Sequence, residues 1–286
     1  MRDPIVPPIL HDPSWRDRLI THFRLHNWRG FVRLYDLLKP ITARRALRVT
    51  SRYGSQFFLT PWDSVDHHVI MEGFYESEVL EAVRPHLGPG KVLWVIGANF
   101  GLHTVTAKWL HPDIRVVAFE PSPTMAARLL ENCELNAVSV DLHAYALSDG
   151  TGAFPFFANN SGNPGCSTLY PSPVSDYANR FMVATMTAAT VIETQLVPPP
   201  DAIILDAEGS EEPVLRGLGR HLSDPGLTHI VVEAPNDFLT SRKPEGLYRL
   251  LDVAGFELSR LERNENTAHT LSNFLAVRRP STEKSG

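Results

Sequence analysis

Val92-Leu93-Trp94-Val95-Ile96, running directly into Gly97-Ala98-Asn99-Phe100-Gly101, is the stretch from which the rest of the chain is read. Five successive apolar residues are what a strand buried on both faces presents. Glycines at 97 and 101 let the backbone turn and come within contact distance of a ligand over the strand's carboxyl end, before a helix that begins near Leu102. Nineteen residues after Gly101, a second apolar run, Arg115–Phe119, ends in Glu120. A carboxylate at that strand tip can accept hydrogen bonds from both hydroxyls of a ribose. Pro121 follows, and Ser122-Pro123 supplies an N-cap and a first-turn proline for the next helix. A dinucleotide fingerprint needs glycine at 97, 99 and 102; Asn99 and Leu102 break it, so the loop suits a ligand without a pyrophosphate.

Outward from this unit the alternation continues. Ser139–His143, Ala202–Leu205 and Ile230–Val232 read as further strands, with helical patterns over Thr104–Leu110, Pro123–Asn136 and Glu212–His221. The implied architecture is α/β, a mostly parallel sheet with helices on both faces. Phe256–Leu261 and Asn273–Val277 read as a closing hairpin on the sheet edge. Upstream, Leu47–Leu59 around Tyr53-Gly54 reads as another hairpin, and Ser77–His86 as a helix stopped by Leu87-Gly88-Pro89-Gly90. Ser14–Asn27 and Gly30–Leu38 also carry helical patterns. The first 60 residues hold eleven Lys and Arg against four acids, a local charge of +7 that leaves −12 for the remainder. The expected division is a basic helical N-terminal extension with the start of the hairpin (1–56) and the α/β domain (57–286). Those helices read as a cap with solvated arginines; a docking surface for an anionic partner, or a homodimer contact, is the alternative.

Of the 286 residues 43% are hydrophobic and 21% charged, which excludes a disordered chain, and a net charge of −5 argues against a general nucleic-acid binder. No run approaches the ~18 apolar residues of a membrane span, and the first residues lack a basic leader before an apolar run, so a cytoplasmic location is expected. Cys133 and Cys166 cannot form a disulfide framework or a four-cysteine site, and His67-His68 are adjacent rather than four apart, so no metal is expected.

From Phe57 to Val277 the residues resemble the FkbM-type S-adenosylmethionine-dependent methyltransferases. The resemblance is carried by Gly73-Phe74-Tyr75-Glu76, Gly97-Ala98-Asn99-Phe100-Gly101, Phe119-Glu120-Pro121, Asn132 and Asn136. Ala146-Leu147-Ser148-Asp149 with Gly152, and Asp206-Ala207-Glu208-Gly209-Ser210-Glu211 with Val214-Leu215, complete it. It implies a Rossmann-like class I methyltransferase fold with a seven-stranded sheet, S-adenosyl-L-methionine as donor, and a small-molecule hydroxyl acceptor of sugar, glycan or polyketide-like type. It places the cofactor on Gly97, Ala98, Asn99, Gly101, Glu120 and Pro121, with Leu147 and Ser148 at the adenine end. One departure concerns Val95, where the family carries an acid that helps hold the amino group of the cofactor's methionine part.

Methyl transfer from a sulfonium is an in-line displacement whose leaving group departs neutral, so the protein's tasks are alignment and removal of the acceptor's proton. Asp206 and Glu208 follow a strand whose carboxyl end faces the same crevice as Gly97 and Glu120. Asp206 is expected at the methionine end of the cofactor and Glu208 at the acceptor as its base; capping of the following helix is the alternative role. Glu233, closing Ile230–Val232, is an acceptor ligand or alternative base. Tyr75, His103 and Asn159 are the remaining acceptor candidates, with Ser167, in a loop that reads as a mobile wall. Two other readings stay open: a nicotinamide-dependent dehydrogenase, and a non-catalytic protein whose cofactor site Val95 has weakened.

Overall fold

The computed structural model describes residues 9–11, 46–60, 63–159, 167–169, 177–236, 238–239, 246–262 and 271–280. The two basic N-terminal helices, Cys166 and the side chain of Asn159 lie outside the described residues.

The described chain opens with β1 (Ile9–His11), β2 (Leu47–Thr50) and β3 (Gln56–Leu59), paired antiparallel in that order. Helices α1 (Ser64–Glu72) and α2 (Ser77–Val83) follow, the latter tightening into a 3-10 turn, Arg84–His86. Then come β4 (Val92–Ile96), α3 (Leu102–Leu110), β5 (Arg115–Phe119), α4 (Pro123–Leu135) and β6 (Asp141–His143). A second small sheet is built from β7 (Ala146–Leu147), β8 (Gly152–Asn159) and β9 (Tyr177–Met186), in the order β7-β9-β8. The chain ends with α5 (Ala188–Glu193), β10 (Ala202–Leu205), α6 (Glu211–Leu218), β11 (His229–Pro235), α7 (Leu247–Val253), β12 (Phe256–Arg260) and β13 (Leu271–Arg278).

The main sheet has seven strands in the order β12-β13-β11-β10-β4-β5-β6. The strands from β11 to β6 pair in parallel, and β13 runs antiparallel between β11 and β12. This is the α/β architecture expected from the alternation. The pleat of β4 shows why its apolar run is unbroken: Leu93 and Val95 enter one core layer, Trp94 and Ile96 the other. The first layer takes in Val69 of α1, Leu80 of α2, Val105 of α3 and Leu129 of α4. The second takes in Val191 of α5, Val214 and Leu215 of α6, and Leu251 of α7.

The expected division at residue 56 falls inside the β2–β3 hairpin. Leu47, Val49, Phe57 and Leu59, from both of its strands, are buried in the first core layer. The outer edge of β3 is closed by two side chains of the neighbouring α4 segment. Asn132 accepts the Phe58 N–H at 2.9 Å and donates to the Phe100 carbonyl at 2.9 Å. Asn136 accepts the Gln56 N–H at 2.7 Å and donates to the Gln56 carbonyl at 2.6 Å. Buried backbone groups need partners, and these two asparagines of the family pattern supply them.

Several elements went unread in the sequence, α1 and the β8–β9 hairpin among them. Helix α1 is only weakly amphipathic, and it is fixed by tertiary contacts: Asp63 caps it, and Asp66, fully buried, meets Arg128 of α4 at 2.6 Å. Burial still pushes the Asp66 carboxyl up to about 6 against the pull of Arg128. The β8–β9 hairpin lies almost wholly in stretches to which the sequence reading assigned no element; Pro155 within β8 and the exposed face of that strand hid it from pattern reading.

Candidate functional site

Strand register assembles the site. Ile96 of β4 lies level with Phe119 of β5 and with Leu205 of β10, and Leu205 lies level with Val232 of β11. One residue further on, Glu120, Gly97, Asp206 and Glu233 therefore stand side by side; the first three follow the ends of their strands, whereas Glu233, expected to close its strand, lies inside β11, which runs on to Pro235 paired with β13. Chain direction reverses between β4, which leads outward to β5 and β6, and β10, which leads to β11. Ligands of open α/β sheets lie at such a switch point.

The two loop glycines are required by close approaches within the protein. Gly97 has φ +79°, and a Cβ there would sit 1.7 Å from the Asp206 carbonyl oxygen. Gly101 has φ +93°, and its Cβ would meet Leu129 Cγ at 2.9 Å. Glycine at 97 thus lets the loops after β4 and β10 touch, bringing Asp206 against the cofactor loop.

Glu120 is buried, and each of its oxygens already holds one backbone donor: Oε2 accepts the Asn99 N–H at 2.7 Å and Oε1 the Ser122 N–H at 2.8 Å. Burial raises its carboxyl to about 7, with the two N–H groups pulling down and Asp206 pushing up. Each oxygen keeps a further lone pair for a ribose hydroxyl. The turn after β10 is held from behind by Glu211, whose Oε1 accepts the Ala207 N–H at 2.9 Å and the Gly209 N–H at 3.2 Å. Burial raises Glu211. Burial, then Glu211, raises Asp206 to about 7, and its Oδ1 is shielded from solvent without a hydrogen-bond partner among the described residues. Glu233 is raised to about 9, by burial first and then by Asp206, Glu208 and Glu211.

Glu120, Asp206 and Glu233 line one cleft, open to solvent. Gly97, Asn99, Glu120, Pro121 and Leu147 border it, as do Asp206, Glu208, Glu233, Tyr75 and Ser167. Thr168, also at its wall, donates to the Glu208 carbonyl at 2.7 Å and ties that wall to the turn after β10.

Four expected contacts lie elsewhere. Ala98 is buried and its N–H donates to the Phe119 carbonyl. Gly101 faces α4. Ser148 gives its N–H to Met186, and its carbonyl packs where a side chain on Gly217 would be, 2.1 Å from that Cβ. His103 is not among the residues lining the cleft: its ring packs at right angles to Phe74, centroids 5.5 Å apart, and burial lowers it to about 4. Val95 likewise lies in the first core layer, 2% exposed.

Sequence reading missed Glu76. It is buried, borders the cleft, and adopts φ +50°. Asn99 (φ +51°) and Glu208 (φ +50°), two more non-glycine residues with left-handed backbone, border the same cleft. Such strain persists where the surroundings over-determine it, and it concentrates at functional sites. The signal for Glu76 was its place in Gly73-Phe74-Tyr75-Glu76; its backbone strain has no sequence mark.

The donor set suits a cationic, ribose-bearing cofactor: a strand-end carboxylate with free lone pairs, a glycine turn, and an enclosed Asp206 oxygen awaiting a donor. Among the described residues no group of three or more His, Cys, Asp or Glu is placed to hold a metal, and no helix is long and apolar enough to cross a membrane.

The family model of the Methyltransferase FkbM domain matches residues 96–267. The chain is 26% identical over 200 residues to the hexuronic acid methyltransferase AglP of Haloferax volcanii, covering 67% of this chain and 74% of that protein. It is 38% identical over 66 residues to the 31-O-demethyl-FK506 methyltransferase FkbM of Streptomyces tacrolimicus, 23% of this chain and 25% of that one. Among solved structures, the magnesium protoporphyrin IX methyltransferase of Synechocystis with bound S-adenosylmethionine aligns at a TM-score of 0.42. That alignment has 14% identity over 71% of this chain and 77% of the other.

Proposed function

The chain belongs to the FkbM methyltransferase family, an S-adenosylmethionine-dependent methyltransferase, and from that premise we propose that it methylates a hydroxyl oxygen of a small molecule, a sugar or a natural product. The observation that carries the reading is the level row Glu120, Gly97, Asp206, Glu233 at the head of one cleft. It offers a ribose carboxylate at one end and acids for a hydroxyl proton at the other. The relative named for a hexuronic acid supports a sugar acceptor, and the one named for FK506 a natural-product hydroxyl.

In this reading S-adenosylmethionine supplies an electrophilic methyl on a sulfonium whose sulfur keeps the bond's electron pair on leaving. Glu120 holds the ribose, the Gly97–Asn99 backbone lies against the methionine part, and Leu147 packs at the adenine. Asp206 takes the ammonium end, the task the family assigns to the acid absent at Val95. Glu208 removes the proton as the acceptor oxygen forms its bond to the methyl carbon, and Glu233 and Tyr75 orient that oxygen. Five carboxylates line the cleft: Glu76, Glu120, Asp206, Glu208 and Glu233.

The test is calorimetric titration with S-adenosylhomocysteine, followed by transfer of labelled methyl from S-adenosylmethionine to a panel of sugars, amino sugars and polyketides. Micromolar binding and labelled methyl ether are the expected result. No binding of either cofactor form sinks the reading.

A further inference from the structure

We propose that Thr168 is a positioning residue for Glu208: its hydroxyl, reaching across from the small sheet, holds the turn after β10 in the conformation that sets the Glu208 carboxylate at the acceptor. This rests on the reading of Glu208 as the base, and it names a residue 40 positions earlier in the chain on which that role depends.

The turn 206–210 is pinned by three separate parts of the chain. The Asp206 N–H donates to the Ile96 carbonyl of β4 at 3.0 Å. From behind, Glu211 Oε1 accepts the Ala207 and Gly209 N–H groups at 2.9 and 3.2 Å. The Ser210 N–H closes the turn on the Ala207 carbonyl at 3.1 Å. From the cleft wall, Thr168 Oγ1 donates to the Glu208 carbonyl at 2.7 Å. Within this frame Glu208 has φ +50° and Gly209 φ +92°. Glycine adopts such a backbone freely, whereas glutamate does so only where its surroundings over-determine it. The bonds to Asp206, Ala207 and Gly209 fix the flanks of Glu208; the Thr168 hydroxyl acts on the peptide group of Glu208 itself.

Thr168 is in turn held by β8. It is 4% exposed and lies along the outer edge of that strand. Phe157 gives its N–H to the Thr168 carbonyl at 2.9 Å and accepts the Thr168 N–H at 3.1 Å. The base of the same small sheet rests on α6, where the Ser148 carbonyl packs in the place of a side chain on Gly217. Helix α6 begins with Glu211, so sheet and turn share one support, and the Thr168 hydroxyl joins them at the cleft. Ser167 and Leu169, on either side of it, line the cleft together with Glu208. An acceptor seated between that wall and the turn therefore meets a base whose backbone the wall holds. Misplacing a reacting group by about 1 Å can cost about a hundredfold in rate.

Thr168→Val keeps the branched shape and the backbone pairing and removes the hydroxyl; Thr168→Ser keeps the hydroxyl. In the parent and both variants, amide hydrogen exchange is followed over 202–212, with β4 and β5 as internal reference. S-adenosylhomocysteine affinity and steady-state methyl transfer to the acceptor found in the panel are measured alongside. In Thr168→Val the turn amides are expected to exchange about fivefold or more faster, with the reference strands and S-adenosylhomocysteine affinity unchanged. Its kcat falls about tenfold or more at unchanged KM for S-adenosylmethionine, and Thr168→Ser restores both exchange and kcat. Parent-like exchange in the turn, parent-like kcat in Thr168→Val, or a loss that Thr168→Ser does not recover overturns the proposal and leaves the methyltransferase reading intact. Failure of S-adenosylhomocysteine to bind the parent overturns both. If Thr168→Val does not fold, Thr168→Ala is read in the same way, and exchange decides the proposal where no acceptor of the panel is methylated.

Discussion

Asn132 joins three parts of the molecule, and its replacement by leucine tests whether the cofactor loop depends on the N-terminal hairpin. The side chain is 1% exposed; it accepts the Phe58 N–H of β3 and donates to the Phe100 carbonyl inside the Gly97–Gly101 loop. Leucine is close in size and leaves both backbone groups without these partners. An unpaired buried group costs about 1–3 kcal/mol, so the pair is expected to cost about 3 kcal/mol. With a urea slope of about 3 kcal/mol per molar, the unfolding midpoint falls by about 1 M at unchanged slope. The loop's half of the loss has a second readout: S-adenosylhomocysteine affinity, measured well below the unfolding transition, falls several-fold. Asn136→Leu is the control. It removes the Gln56 contacts of the hairpin and leaves the Phe100 carbonyl paired, so it lowers stability with affinity retained. A midpoint shift below a third of the expected value, or equal loss of affinity in both variants, refutes the linkage.

Three further outcomes follow from the same geometry. Glu233 is raised to about 9 from an ordinary 4.5, so its contribution to stability is full below about 4.5 and is lost as pH rises through about 9. Glu233→Gln removes that loss: the melting temperature should exceed the parent's at pH 8 and approach it toward pH 5, and a lower value at pH 8 contradicts the placement. Gly97→Ala forces a Cβ to within 1.7 Å of the Asp206 carbonyl; S-adenosylhomocysteine affinity should drop at least about tenfold, and parent-like affinity counts against the contact. Val95→Asp sets a carboxylate among Leu93, Ala118 and Ile204 in the core. It should destabilise by several kcal/mol and bring no gain in cofactor binding, so tighter binding would show that position 95 reaches the cleft.

Much of the fold was legible because it is written locally. The apolar runs of β4, β5, β10 and β11, the proline at the head of α4 and the strand-end position of Glu120 need no partner to be recognised. What escaped depends on distant partners. Helix α1 shows little amphipathicity and is held by Arg128 of α4. β8 contains a proline and faces solvent, and only its pairing with β9 makes it a strand. His103, a candidate contact or a packed side chain by its place at the start of a helix beside the glycine loop, has its ring against Phe74, a neighbour distant in the chain.

By itself the sequence determined which residue types stand at strand ends: Glu120, Asp206 and Glu233 each terminate an apolar run, and glycine follows β4. Those facts are local and follow from where burial stops. Tertiary structure alone decided their relation. Parallel register put Glu120, Gly97, Asp206 and Glu233 level, the missing side chain of Gly97 admitted the Asp206 carbonyl, and Glu211 folded back to hold the turn. Strand order, register and enclosure are properties of pairs of segments far apart in the chain. The charge character of the cleft arises from that enclosure, because a carboxyl is shifted by the solvent it loses and the neighbours it gains.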